Sequence, residues 1–175
     1  MRTTLILVAL LFFACGATGC AGGLRWTLVN WKVRHDFPDV KRITPAETAE
    51  RLKEKQSPVL LDIRTKSEYE ISHIPGARRV EPSAEASAID LPHDQPIITY
   101  CSVGYRSGAF AKKLQDAGYK NVQNMSGSIF QWANEGRPLE HAGKPTEKVH
   151  PYNATWGKLL KAPLRAEVPD AGKDM

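Results

Sequence analysis

The feature that most restricts what this chain can become is a pair of short apolar runs. Val59-Leu60-Leu61-Asp62-Ile63-Arg64 is the first, and Ile97-Ile98-Thr99-Tyr100, the second, leads straight into Cys101. A strand with one wet face alternates apolar and polar residues. A run that is apolar at successive positions needs cover on both faces, as in a parallel sheet flanked by helices. Asn121-Val122-Gln123-Asn124-Met125 is a weaker third run. Between the second and third, Phe110, Ala111, Leu114 and Ala117 recur at helical spacing, and Gly118 supplies the C-terminal stop. Strand, loop, helix, strand is a βαβ unit, and the class is α/β. An earlier helix is announced by Thr44 as N-cap, Pro45 at the first helical position and Glu47 closing a capping box. It is expected to run to about Lys55, before Ser57-Pro58 breaks it.

Open parallel sheets bind their ligands beyond the carboxyl ends of the strands, and Cys101 stands there, ahead of a helix. Most free cysteines are small buried hydrophobes. The position of Cys101 in a glycine-containing turn, followed by Arg106-Ser107 and a helix start, assigns it instead to chemistry. The other two cysteines, Cys15 and Cys20, lie in or beside an apolar leader, so Cys101 has no evident disulfide partner. A thiolate is the nucleophile, and an ordinary cysteine supplies little of it at neutral pH. Backbone N–H groups from Ser102 to Arg106, aimed inward at the helix N-terminus, would stabilise an anion, and the Arg106 guanidinium would add charge. Neither metal nor cofactor is expected, since His141 and His150 have no neighbouring ligand cluster.

A length of 175 residues suits one domain with a leader and a tail. The net charge of +5 is spread over basic residues mixed with acidic ones, without a compact stripe, which argues against nucleic acid as a partner. Arg2 followed by Leu5–Ala14 reads as the start of a signal peptide, and Ala17-Thr18-Gly19-Cys20 resembles a relaxed lipobox, with Ala17 where leucine is usual. Lipidation of Cys20, conventional cleavage to a soluble product and an uncleaved anchor are the three readings of this segment. The first gives an exported, membrane-anchored lipoprotein facing the periplasm, attached to the membrane through its lipid. The division is then a signal peptide at 1–19, a membrane-proximal linker at 20–40, the folded domain at 41–140 and a C-terminal tail at 141–175. Residues 22–39 either lie on the membrane surface, with Trp26 and Trp31 at the headgroups, or pack Trp31, Val33 and Phe37 onto the domain. In the tail, Tyr152, Trp156, Leu159 and Leu160 could dock as a short helix, and Lys161 to Met175 reads as a loose end.

The loop Cys101-Ser102-Val103-Gly104-Tyr105-Arg106-Ser107 resembles the active-site loop of rhodanese-type sulfurtransferases. Asp62-Ile63-Arg64, Glu68-Tyr69 and the turn His73-Ile74-Pro75-Gly76-Ala77 resemble the family's other hallmark, and Gly118-Tyr119, Val122, Gly127 and Trp132 its closing strand and helix. The resemblance covers roughly Ile43 to Leu139, with one departure at Ser128, where many members have a second glycine. It implies a rhodanese-like fold, a five-stranded parallel sheet with helices on both faces. It also implies a thiosulfate sulfurtransferase-like enzyme: Cys101 would carry a sulfane sulfur as a persulfide, from thiosulfate or a similar small sulfur-containing anion to cyanide or a thiol.

On this resemblance Ser102, Val103, Gly104, Tyr105, Arg106 and Ser107 bind the substrate, and Asp62 and Arg64 brace the loop. Arg106 would offer its planar fork to a sulfonate rather than hold the domain together. His73 would fix its turn by a hydrogen bond rather than act as a base, and Tyr105 would select the acceptor or simply be solvated. Four residues separate Cys101 from Arg106, whereas cysteine-based phosphatases of similar shape enclose five, a wider cradle for a tetrahedral phosphate. The competing reading is a non-catalytic rhodanese-like module that presents a partner protein to the membrane. A thiol redox sensor is disfavoured by the lack of a resolving cysteine in the domain.

Overall fold

The computed structural model describes residues 18–168, with side chains from residue 23. The apolar leader and the Cys20 side chain therefore lie outside the described residues. Five strands form one parallel sheet in the order β1-β5-β4-β2-β3. They are β1 (Lys41–Ile43), β2 (Val59–Asp62), β3 (Arg78–Arg79), β4 (Ile97–Tyr100) and β5 (Val122–Met125). The register sets Asp62 beside Tyr100 and Thr99 beside Asn124, so the carboxyl ends of β2, β4 and β5 finish at one edge.

The two apolar runs are explained by the two faces they serve. Leu61, Ile63 and Ile97 point to one side, where they meet Phe110, Ala111 and Leu114 of helix α4 (Tyr105–Asp116). Leu60, Ile98, Tyr100 and Met125 point to the other, against Ile129, Phe130 and Trp132 of helix α5 (Ser128–Asn134). Each strand thus buries successive residues in opposite cores. Helix α2 (Pro45–Arg51) begins with the capping box at Thr44 and Glu47 and stops short of Lys55. Helix α3 (Lys66–Ile71) begins with a second box, between Thr65 and Glu68.

Two segments differ from their expected form. Residues assigned to a linker form helix α1 (Thr18–Asp36), which lays Val33 into the core with Trp26 and Val29 packed beside it. Phe37 also packs on the domain, whereas Trp31 does not: it is 61% exposed and stacks on His35. No described helix is long and apolar enough to cross a membrane. The tail is likewise part of the fold, with Tyr152, Trp156, Leu159 and Leu160 docked as expected and a short 3₁₀ helix at Trp156–Leu159. An antiparallel hairpin, β6 (Leu139–His141) with β7 (Lys144–Thr146), is followed by Val149, Leu159 and Leu160, all buried in the α5-side core. Val149 also bridges to Arg165, within the stretch read as a loose end.

Candidate functional site

Cys101 follows β4 directly, and its side chain is 1% exposed at the floor of a cleft. The turn that carries it closes at Gly104, whose φ of 107° lies in the left-handed region that glycine adopts without steric cost. This brings the Gly104 N–H to 3.2 Å from the Cys101 sulfur at the N-terminus of α4. Burial alone would push the thiol up. The Arg106 charge and hydrogen bonding from Ser107 and Gly104 outweigh it, and hold the thiol below the ordinary cysteine range. The Ser107 hydroxyl has only one proton, and it donates to Asn124 Oδ1 at 2.7 Å. From Ser107 it is therefore the backbone N–H that serves the sulfur.

Arg106 is placed differently from the expected sulfonate clamp. Its Nη1 and Nη2 donate to the two oxygens of Glu68 at 2.8 and 2.7 Å, and Nη2 also reaches Ser102 Oγ at 3.0 Å. Ser102 Oγ in turn donates to Glu68 Oε1 at 2.8 Å. The planar fork is therefore filled by a protein carboxylate, since a half-buried guanidinium gains from a local counter-charge. The Tyr152 ring lies over the guanidinium at 4.8 Å. Burial would raise the Glu68 carboxyl, but Arg106 and Arg64 overcome that and hold it down at about 2.

Asp62 and Arg64 form a buried ion pair, and none of their side-chain hydrogen bonds reaches residues 101–107. Both are fully buried, with Arg64 Nε and Nη2 donating to Asp62 at 2.9 and 2.6 Å. Arg64 also donates to the carbonyls of Ser72 and Glu68, at 2.7 and 3.3 Å, and so ties down the end of α3. His73 is engaged at both ring nitrogens, by the Tyr69 carbonyl at 3.1 Å and by Glu140 at 3.0 Å. It fixes its turn. Tyr105 faces the cleft, and its hydroxyl donates to Asp36 of α1 at 2.8 Å. Val103 is buried and lines both the cleft and the core.

Three site residues escaped the sequence reading. Glu68 stands in the sequence as part of a motif, and Thr65 with Glu68 carries the capping-box spacing that marks a carboxylate with a fixed place. Asn124 donates to the Gly104 carbonyl at 2.8 Å and accepts from Ser107, which locks the turn onto β5. Ser128, at the departure from the family pattern, has φ 48° and is fully buried. Its hydroxyl accepts the Cys101 N–H at 3.1 Å and donates to the Met125 carbonyl at 3.0 Å.

The cleft above Cys101 has a volume of about 480 Å³. Leu28, Val29 and Val33 of α1 form one wall, and Tyr152 and Trp156 another. Both walls lie outside the span that carries the motifs.

The rhodanese-like domain family matches residues 44–135. A probable adenylyltransferase/sulfurtransferase of Mycobacterium tuberculosis, MoeZ, is 31% identical over 99 residues, which are 55% of this chain and 25% of that protein. The chain thus spans about a quarter of that relative's length. The thiosulfate:glutathione sulfurtransferase of Saccharomyces cerevisiae is 30% identical over 116 residues, 58% of this chain and 78% of that protein. The crystal structure of a rhodanese-like domain protein from Staphylococcus aureus superposes with a TM-score of 0.53 at 25% identity, covering 59% of this chain and 100% of that one.

Proposed function

Because the chain belongs to the rhodanese-like domain family, we propose that it is a sulfurtransferase working through a persulfide on Cys101. The Cys101 thiolate attacks the outer sulfur of thiosulfate or a similar donor. A new sulfur–sulfur bond forms, the donor's own breaks, and its electron pair leaves with sulfite. A second nucleophile, cyanide or a thiol, then attacks the outer sulfur of the persulfide and returns Cys101 to the thiolate, a two-step covalent cycle. The name of the yeast relative pairs donor and acceptor of these classes.

The observation that carries this reading is the setting of the thiol. Cys101 sits at a strand end, receives the Gly104 N–H and feels the Arg106 charge, so its thiolate is favoured despite burial. The same N–H groups and charge can hold the persulfide anion, which occupies the same ring one sulfur further out. Exposure to thiosulfate followed by mass spectrometry should show one added sulfur on the Cys101 peptide, removed again by cyanide. Cys101→Ser should show no gain and less than about 1% of wild-type turnover, since a hydroxyl is a far weaker nucleophile. A wild-type peptide that gains no sulfur overturns the proposal.

We further infer that the chain is exported and held at a membrane through a lipid on Cys20, on the strength of the Arg2 and Leu5–Ala14 leader. Cys20→Ala should release the protein or leave an uncleaved precursor. An unchanged acyl-labelled membrane fraction would refute the lipid.

A further inference from the structure

The cleft over Cys101 is larger and less polar than thiosulfate or cyanide needs. Both ligands amount to a few water volumes of about 30 Å³ each, and would leave most of the 480 Å³ unfilled. That volume falls among pockets that take organic ligands, roughly 300–1,000 Å³. Its walls are the aliphatic side chains of α1 and the rings of Tyr152 and Trp156.

The charges at its rim point the same way. Among the described residues two cations line the cleft, Lys32 and Arg106, and each is matched by a carboxylate. Lys32 Nζ lies 2.8 Å from Asp36, and Arg106 is forked on Glu68. Among the described residues these walls hold no uncommitted cation, so the donor's oxyanion is left to the N–H groups of the Cys101 loop and the rest of the cleft suits a neutral molecule with an apolar body.

We propose that the acceptor of the Cys101 sulfur is an organic thiol with an apolar body, bound between α1 and Tyr152-Trp156. This rests on the persulfide reading above and names its second substrate. The thiol enters neutral and releases its proton to solvent. Its sulfur bonds to the outer sulfur of the persulfide, the bond to the Cys101 sulfur breaks, and the electron pair stays on Cys101 as thiolate. The product is the persulfide of the entering thiol. No oxidant or reductant is consumed.

The test uses the full chain loaded with thiosulfate, with the extra sulfur on Cys101 confirmed by mass before each run. Single-turnover transfer is then timed with ethanethiol, butanethiol and hexanethiol, all below their solubility limits and of closely similar acidity. The second-order rate should rise about two- to fourfold per added methylene, the upper figure corresponding to about 0.8 kcal/mol per buried CH₂. Leu28→Gln alters an exposed position, 58% accessible, and should cut the hexanethiol-to-ethanethiol ratio several-fold. Taking the ratio cancels any general loss of rate. A flat series on a loaded enzyme that still passes sulfur to cyanide overturns this assignment and leaves the persulfide reading standing. A ratio unchanged in Leu28→Gln also overturns it, because the wall would then not be felt. If Cys101 never takes up sulfur, both fall together.

Discussion

Glu68 and Arg106 meet as carboxylate and guanidinium through two hydrogen bonds of 2.8 and 2.7 Å, with the Glu68 side chain only 2% exposed. The same carboxylate accepts the Thr65 backbone N–H at 3.1 Å and so caps α3. One anion therefore serves a helix end and the loop that carries the sulfur. Glu68→Gln leaves the Arg106 charge without its partner. Removing one member of a buried pair costs about 3–5 kcal/mol, and partial exposure of Arg106 places this case near the lower figure. Stability should fall while the Cys101 thiol titrates lower still, since a negative charge near the thiolate has gone. Urea unfolding and the pH dependence of iodoacetamide alkylation read the two effects, and an unchanged stability or a raised alkylation midpoint would sink the assignment.

Acid should unfold the protein through the same residue. The Glu68 carboxyl lies at about 2 in the fold, against about 4.3 in an unfolded chain. Its contribution is present in full above the unfolded value and is lost as pH falls through that value towards the folded one, at about 1.4 kcal/mol per unit of separation. Wild type should lose stability steeply between about pH 5 and pH 2. Glu68→Gln, weaker at neutral pH, should show a shallower fall over that range, and identical slopes would count against the ion pair.

Arg106→Lys keeps a charge but cannot hold two carboxylate oxygens and Ser102 at once. It should cost about 1–3 kcal/mol of stability, contrary to the expectation that this residue takes no part in holding the domain. The Cys101 alkylation midpoint should move up, and further up in Arg106→Gln, which removes the charge. A midpoint unmoved in both variants would leave the loop's N–H groups as the only source of the lowered thiol.

At Ser128 two substitutions separate the hydroxyl from the backbone. Ser128→Ala keeps a Cβ at positive φ and orphans the buried Cys101 N–H, at a cost of about 1–3 kcal/mol. Ser128→Gly loses the same bond but relieves the left-handed strain, and should recover about 1 kcal/mol of it. Thermal unfolding of the two variants measures the difference, and an Ala variant as stable as wild type would show that the hydroxyl is dispensable.

How much of this was legible in the sequence depended on how local the cause was. Thr44, Pro45 and Glu47 announce a helix start within four residues, and the runs into Asp62 and Tyr100 carry their two-faced burial on their own surface. The edge strands β1 and β3 are too short to show a period, with Ile43 the one buried residue of the first. Helix α1 was obscured because it bears apolar residues on opposite sides. Trp26, Val29 and Val33 turn inward, while Leu24, Leu28 and Trp31 stay exposed, so no single stripe stands out. Cys101 could be found from its turn and its neighbours. The partner of Arg106 could not, because Glu68 lies 38 positions away and only the fold brings them together. Asn124 hid in a weak strand for the same reason: its partners, Gly104 and Ser107, belong to another element.

Helix α1 also sets a reach. Its 19 residues, at about 1.5 Å each, make a rod of about 28 Å. From Cys20 to Val33, at the cleft wall, the path along it is roughly 20 Å. A chain held at Cys20 would carry its cleft on a strut rather than a leash, with Val33 at the cleft wall about that span along the helix from the anchor. A thiol dissolved in the surface layer of a bilayer would then have a short path to the cleft, whereas one confined to a distant soluble protein would have to travel to the surface to collect its sulfur.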